Sequence, residues 1–369
     1  MSETAGTRAT FRHAGLSGTP YEIGSQEAMN IRQRRPEEAA FWFGEKSEVS
    51  VSPATVREAI EIFEQHCPWI NEELRGFADG FGQPPEKVIQ YALSYVPRGH
   101  CSHFALLPAK TGDVHMLAGR SYEWNEDDEM RLVTTYMEGC HAHLGFSLFL
   151  FGRYDGLNEK GLTVTMSSGI PIEQSSVTGL RFWAVVRILL DTCADVEEAL
   201  ARLRTLPISG YFNLVLADRG GRAALVEIHD DIQAIRRIGP GDPDGFVASA
   251  NHYRLPDMQP LVRNRMRQSV DRYAAIERTL QPERVEREAL LRLLSTHTPD
   301  GMACHYYADG LGTLWSCLYD LTAGSVDICF GSPLANPWRT FGLNRKEGET
   351  DYAALLPGRE STSEMWERV

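Results

Sequence analysis

The spacing of apolar residues changes from helical to strand-like at Cys101, and that change limits what the chain can fold into. Upstream, Val56, Ala59, Ile60 and Phe63 recur at helical spacing behind a capping Ser52 and Pro53. Ile70, Leu74, Phe77 and Phe81 carry the same period into a second helix that ends near Gly82, Pro84 and Pro85, and Val88, Ile89, Ala92 and Leu93 mark a third. The break Pro97-Arg98-Gly99 closes this mainly helical opening. From Cys101 short β-rich runs take over at 101–107, 113–118, 131–137, 143–151 and 161–167, separated by turn residues such as Lys110-Thr111-Gly112-Asp113.

A helical stretch follows at about 181–206, then a hairpin of Phe212–Asp218 with Ala223–Ile228, turned by Arg219-Gly220-Gly221. Helices resume at about 261–280 and 284–294, and strands at 302–307, 313–321 and 325–330. Runs of strands alternating with runs of helices predict an α+β chain, with two antiparallel sheets packed between helical layers rather than a parallel βαβ sheet. The expected organisation is a helical N-terminal segment over 1–100, a main domain over 101–345 and a polar, loosely ordered tail over 346–369. No internal repeat or low-complexity segment interrupts it.

With 369 residues the chain is long enough for a core of its own. A net charge of −13 excludes a basic stripe for phosphates, and with it a nucleic-acid partner or an anionic membrane surface. No basic stretch leads into an apolar one at the N-terminus, and no run of apolar residues is long enough to span a bilayer, so a soluble cytoplasmic protein is expected. The seven cysteines are odd in number and widely spaced, unlike a disulfide framework. Six are expected as buried thiols.

The seventh, Cys101, has a different setting. It follows Arg98-Gly99-His100 and leads a strand-like run, and the block Gly119-Arg120-Ser121-Tyr122-Glu123-Trp124-Asn125 returns beside it to deliver Arg120 and Glu123. If the bond before Cys101 is cut, one residue supplies both a thiol nucleophile and an α-amino base. The thiol titrates near ~8.5 and the amine near ~7.7–8.0, close enough to exchange a proton. The plainer alternative is a buried structural thiol.

Eight blocks occur in an order and spacing that resemble the acyl-coenzyme A:6-aminopenicillanic acid acyltransferase family of N-terminal-nucleophile hydrolases. They are GTPYEIG (18–24), PWINEELRGFADG (68–80), GHCSHFA (99–105), GRSYEW (119–124), DGLNEKGLTV (155–164), NLVLADRGGRAALVEI (213–228), ANHY (250–253) and GTLWSCLYDL (312–321). The resemblance covers about residues 12–342. It implies a four-layer αββα sandwich, made as a precursor that cleaves itself between His100 and Cys101, residues 1–100 forming the released small subunit. His100 stands where the family usually has glycine, and Ser121 and Glu123 stand where it tends to have asparagine and aspartate.

Within that resemblance Asn251, at the end of a strand, is similar to the family's oxyanion-hole asparagine; loss of one such donor slows catalysis on the order of 100-fold to 1000-fold. His252 beside it is read as structural. Arg120, with its planar fork of donors, suits a substrate carboxylate or an ion pair with Glu123. Glu123 either orients the freed α-amine or caps a loop, and Tyr122 either lines a pocket or packs in the sheet. Ser168 is a candidate second polar group near the oxyanion, and Ser269 and Arg272 resemble a Ser-x-x-Arg pattern of the superfamily or else a solvated basic helix face with Arg265 and Arg267. His141 and His143 lack a third ligand, so no metal is expected, and DGLNEKG lacks the Lys-Ser/Thr pair of a phosphate loop.

The expected activity is that of a self-processing cysteine amidohydrolase or acyltransferase that forms an acyl-thioester on Cys101 from the linear amide of a small N-acyl substrate, with no cofactor. Water or a second amine resolves the thioester. The same residues serve an acyl-coenzyme A-dependent N-acyltransferase, for which an acyl-thioester donor is the further partner, and the cleaved fragments are expected to stay together as a heterodimer. The contrasting class is a binding protein of this fold without activity, which His100, Ser121 and Glu123 favour and the set Cys101, Arg120 and Asn251 opposes.

Overall fold

Ser52 opens a helix as its position predicts, its Oγ accepting the Thr55 N–H at 3.1 Å with Pro53 at the first helical position. The computed structural model describes residues 3–34, 51–94, 100–148, 151–169, 175, 177–262, 264–344 and 348–369. In chain order the elements begin with β1 (Glu3–Gly18), α1 (Pro20–Arg34), α2 (Pro53–His66), α3 (Pro68–Phe81) and α4 (Pro85–Ser94). Next come β2 (His100–Leu106), β3 (Leu117–Trp124), β4 (Arg131–Met137), β5 (His143–Leu148), β6 (Gly152–Arg153), β7 (Asp155–Asn158) and β8 (Leu162–Ser168). Then follow α5 (Phe182–Thr192), α6 (Val196–Leu203), β9 (Tyr211–Asp218), β10 (Arg222–His229), β11 (Ile232–Ile238) and β12 (Phe246–Ser249). The chain closes with α7 (Arg267–Leu280), α8 (Arg287–Leu294), β13 (His305–Tyr306), β14 (Leu311–Asp320), β15 (Ser325–Phe330), β16 (Trp338–Gly342) and β17 (Gly348–Arg359).

Among the described residues these strands form two sheets. The first runs β11-β10-β9-β8-β7-β5-β4-β1-β17, with β6 on β5; the second runs β12-β2-β3-β14-β15-β16, with β13 on β14. Every pairing is antiparallel except that of β1 with β4. The sheets face each other through β2 against β8 and β9, α1, α5 and α6 cover the first, and α7 and α8 cover the second. This is the expected α+β sandwich of four layers.

Burial explains the layering. Phe104, Leu106 and Leu117 of the second sheet meet Ala275, Ile276, Leu280, Leu290, Leu293 and Leu294 of α7 and α8 in one apolar cluster. Side chains on the other face of that sheet join the first sheet and the N-terminal helices in a larger one. The helix crossing of α1 and α3 depends on two glycines. A Cβ on Gly24 would collide with the Glu73 carbonyl, and one on Gly76 with the Tyr21 carbonyl, so only glycine lets these backbones touch.

The strand expected over 113–118 begins only at Leu117, α1 forms over Pro20–Arg34 where no element was expected, and two further stretches differ from their sequence-based expectation. Residues 3–18 are a long strand of the first sheet, between β4 and the edge strand β17, so the first hundred residues contribute to the sandwich itself as well as to its helical cover. The polar tail is not loosely ordered: β17 pairs with β1 from Arg359 opposite Glu3 to Gly348 opposite Gly15. After the polar Glu349-Thr350-Asp351, buried Ala354 and Leu356 alternate with exposed Ala353 and Leu355, the period of a strand with one covered face.

Candidate active site

Register places the site. On β2 and β3, His100 lies opposite Glu123, Cys101 opposite Tyr122 and His103 opposite Arg120. Because neighbours along a strand point to opposite faces, Cys101, Arg120 and Tyr122 face the first sheet, whereas His100 and Glu123 face α7. The ion pair of Arg120 with Glu123, one of the two roles the sequence left open for this arginine, therefore does not form. Arg120 Nη1 instead pairs with Asp155 at 2.8 Å, both fully buried, and its Nη2 donates to Cys101 Sγ at 3.2 Å. Asp155 is fixed in turn by the Trp315 indole N–H at 3.0 Å and the Phe146 amide at 3.1 Å.

Glu123 pairs with Arg272 of α7 at 3.3 Å and accepts a hydrogen bond from Ser121. Arg272 is fully buried, not on a solvated helix face. Its Nη2 donates to Asn251 Oδ1 at 2.7 Å, and the same oxygen accepts the Cys101 amide N–H at 3.0 Å. Asn251 Nδ2 donates to the Ser168 carbonyl at 3.2 Å, so this serine meets the asparagine through its backbone. Ser269 Oγ accepts the Asn251 amide at 2.8 Å and bonds His252 Nδ1 at 2.8 Å, which fixes the strand end behind Asn251. Tyr122 stacks on Trp315 with ring centroids 4.0 Å apart and donates to Asp128 at 2.6 Å.

Electrostatics follow from this closure. Burial pushes the Cys101 thiol up to about 12, with the Arg120 guanidinium pulling the other way. Burial would lower Arg120, but the facing Cys101 and Asp155 outweigh it and hold the guanidinium above its ordinary value. Glu123 is raised to about 7 by burial, opposed by Arg272 and by the Ser121 hydrogen bond. Cys101 is 1% exposed in this uncleaved chain, in which its nitrogen is still a peptide amide.

The family model described as acyl-coenzyme A:6-aminopenicillanic acid acyl-transferase matches residues 111–335, more than half of the sequence. The chain belongs to this family. The stretch that matches the acyl-transferase model contains Arg120, Glu123, Asn251, Ser269 and Arg272 and begins after Cys101. No curated protein matches. Among solved structures the chain is similar to penicillin V acylase from Agrobacterium tumefaciens, at 16% identity over 68% of this chain and 90% of that one, with a TM-score of 0.46. It is also similar to a mutant conjugated bile acid hydrolase from Clostridium perfringens (13% identity, 68% and 96%, TM-score 0.42). A third is the N-acylethanolamine-hydrolyzing acid amidase ortholog of Caenorhabditis elegans (10% identity, 60% and 93%, TM-score 0.42). At these values the likenesses say nothing of activity.

Three neighbours of the site were not picked out by sequence. Asp155 heads the DGLNEKG block, and its adjacency to Arg120 was hidden because 34 residues separate them in the chain. Trp315 likewise sits in a quoted block without a role. Gln268 precedes Ser269 on α7 and had no distinguishing signal; it accepts from Arg272 at 2.6 Å and donates to His100. Of the paired histidines, His143 lies buried 3.2 Å from Asp191, and His141 is outside β5, 3.6 Å from Glu159.

Proposed function

We propose that this acyl-transferase family member is a self-processing cysteine amidohydrolase or acyltransferase with Cys101 as nucleophile. The observation that carries the reading is the placement of both reactive atoms of one residue: Sγ receives an Arg120 N–H at 3.2 Å and the backbone nitrogen is held by Asn251 at 3.0 Å. In the first stage Sγ attacks the His100 carbonyl carbon. An S–C bond forms, the C–N bond to Cys101 breaks, and the thiol proton ends on the released nitrogen. Water then adds hydroxide to the carbonyl carbon and returns a proton to sulfur, leaving a free α-amine on Cys101.

In the second stage that amine takes the thiol proton, and the sulfur attacks the linear amide of a small N-acyl substrate. Asn251 Nδ2 has a second hydrogen beyond the one given to Ser168, and it donates to the oxyanion. The α-amine passes its proton to the departing amine. Water resolves the acyl-thioester to an acid, and a second amine resolves it to a new amide. The environment of action is taken as cytoplasmic; no helix among the described residues is long and apolar enough to cross a membrane.

A mass spectrum of the purified protein tests the reading. We expect two fragments divided before Cys101, and a single 41.3 kDa species for Cys101→Ala. Normal processing of the Ala variant would end the self-cleavage reading, and an intact wild-type chain whose Cys101 resists thiol labelling would return the protein to the class of inert binding modules. A panel of N-acyl amines, β-alanyl amines and penicillin-type amides, with and without an acyl-thioester donor, separates hydrolysis from transfer.

A further inference from the structure

One guanidinium reaches both sides of the His100–Cys101 bond. On one side Arg272 Nη2 donates to Asn251 Oδ1, which holds the Cys101 amide; on the other it donates to Gln268 Oε1, whose Nε2 lies 3.1 Å from His100 Nδ1. The strand needs such side-chain support here. β12 pairs with β2 only from Leu106 to His103, so residues 100–102 have a ladder partner on the β3 side alone. Asn251, just past the end of β12, takes the backbone N–H of Cys101, and Gln268 reaches the His100 side chain from α7.

The direction of the amide is set by its partners. Its oxygen is taken by Arg272, so Nε2–H faces the imidazole, and Nδ1 must accept; the ring then carries its proton on Nε2 and is neutral. A protonated ring would put two donors face to face beside a cation. Burial, with Arg272 adding to it, holds His100 down at about 3, in keeping with this arrangement. Trp366 also packs against the ring, edge-on with centroids 5.7 Å apart. That indole stands on the C-terminal turn, tied to Ser361 at 3.2 Å, and the adjacent Glu367 is held by Arg267 at the start of α7 at 2.9 Å.

We propose that Gln268 and Trp366 are positioning residues for self-cleavage, a socket that fixes the His100 side chain so that its carbonyl is presented to Cys101 Sγ. The inference rests on the self-processing reading above. A bulky ring before the nucleophile leaves the scissile carbonyl with a fixed orientation only if the ring is gripped, and a residue without a side chain would need no socket. The attack geometry of the sulfur on a carbonyl is steep in angle and distance, so small losses of orientation slow the step.

A double-mutant cycle tests this. Gln268→Met keeps the length of the side chain and removes both the donor to His100 and the acceptor for Arg272, and loss of the His100 hydrogen bond should by itself slow self-cleavage about tenfold. Combined with His100→Gly, the same change should slow cleavage much less, because there is no ring to hold and only the Arg272 contact is lost. A wild-type cleavage rate in Gln268→Met would overturn the proposal, as would an equal loss with and without His100→Gly, the result a merely structural role gives. Trp366→Ala runs the same cycle on the indole contact if Gln268→Met does not fold. A wild-type chain that never cleaves overturns both readings; one that cleaves while Gln268→Met and Trp366→Ala keep pace overturns this one alone.

Discussion

Arg120 and Glu123 stand three residues apart on β3, and this spacing assigns them to different tasks on opposite faces of one strand. Arg120 faces the sulfur, and Glu123 anchors Arg272. The residues themselves were legible, because the block that contains them resembles a family motif. Their partners were not: Asp155 and Arg272 come from distant segments, and no local pattern links a strand arginine to an aspartate at the head of another hairpin. The raised thiol has a kinetic consequence. With Cys101 near 12 in the intact chain, its thiolate is scarce at neutral pH, so the proposed cleavage should quicken by about tenfold per pH unit between about pH 6 and about pH 9. Arg120→Met, which removes the opposing charge, should slow it throughout. Gel densitometry across that range checks both, and a flat profile contradicts them. Stability moves the other way: a thiol raised in the folded state contributes fully below its unfolded value of 9.0 and loses that contribution as pH rises toward 12.

At the scale of elements, α2, α3 and α4 were readable from their period and punctuation and form where Ser52, Gly82 and Pro85 mark their limits, whereas α1 was not read from the sequence. β1 escaped notice because it contains Gly6, Gly15, Arg8 and Arg12 and lacks clean alternation; its burial is supplied by β4 and β17, far along the chain. The contact of α1 with α3 makes a further prediction. Alanine at position 76 would gain up to ~1 kcal/mol in helix propensity. The Cβ meets rigid backbone rather than a side chain that can swing away, so the overpacking penalty of about 1–3 kcal/mol should win. Gly76→Ala is therefore expected to lower the denaturation midpoint. A higher midpoint would mean that the two helices can separate without loss.

For the molecule as a whole, the α+β class was legible from alternating runs of periodicity, but the integration of the N-terminal segment was not. β1 lies between β4 and β17, and buried pairs join the first hundred residues to the rest: Glu27 with Arg131, Glu73 with Arg187 at 2.9 Å, and the Trp69 indole with Asp191 at 2.8 Å. Removing one partner of such a pair leaves an uncompensated buried charge. After the proposed cut, the two fragments should therefore co-elute in size-exclusion chromatography and part only in denaturant. Loss of residues 1–100 on a native column would contradict this.

The placement of β17 beside β1 also orders events in time. β1 is synthesised long before β17, and the turn that sets Trp366 against His100 comes after both. A nascent chain has neither the outer neighbour of β1 nor the cover over His100 until those late segments have emerged. The proposed cleavage is thereby tied to synthesis of residues far downstream of the bond it cuts, and a chain that stops short of them lacks the contacts that a longer one assembles.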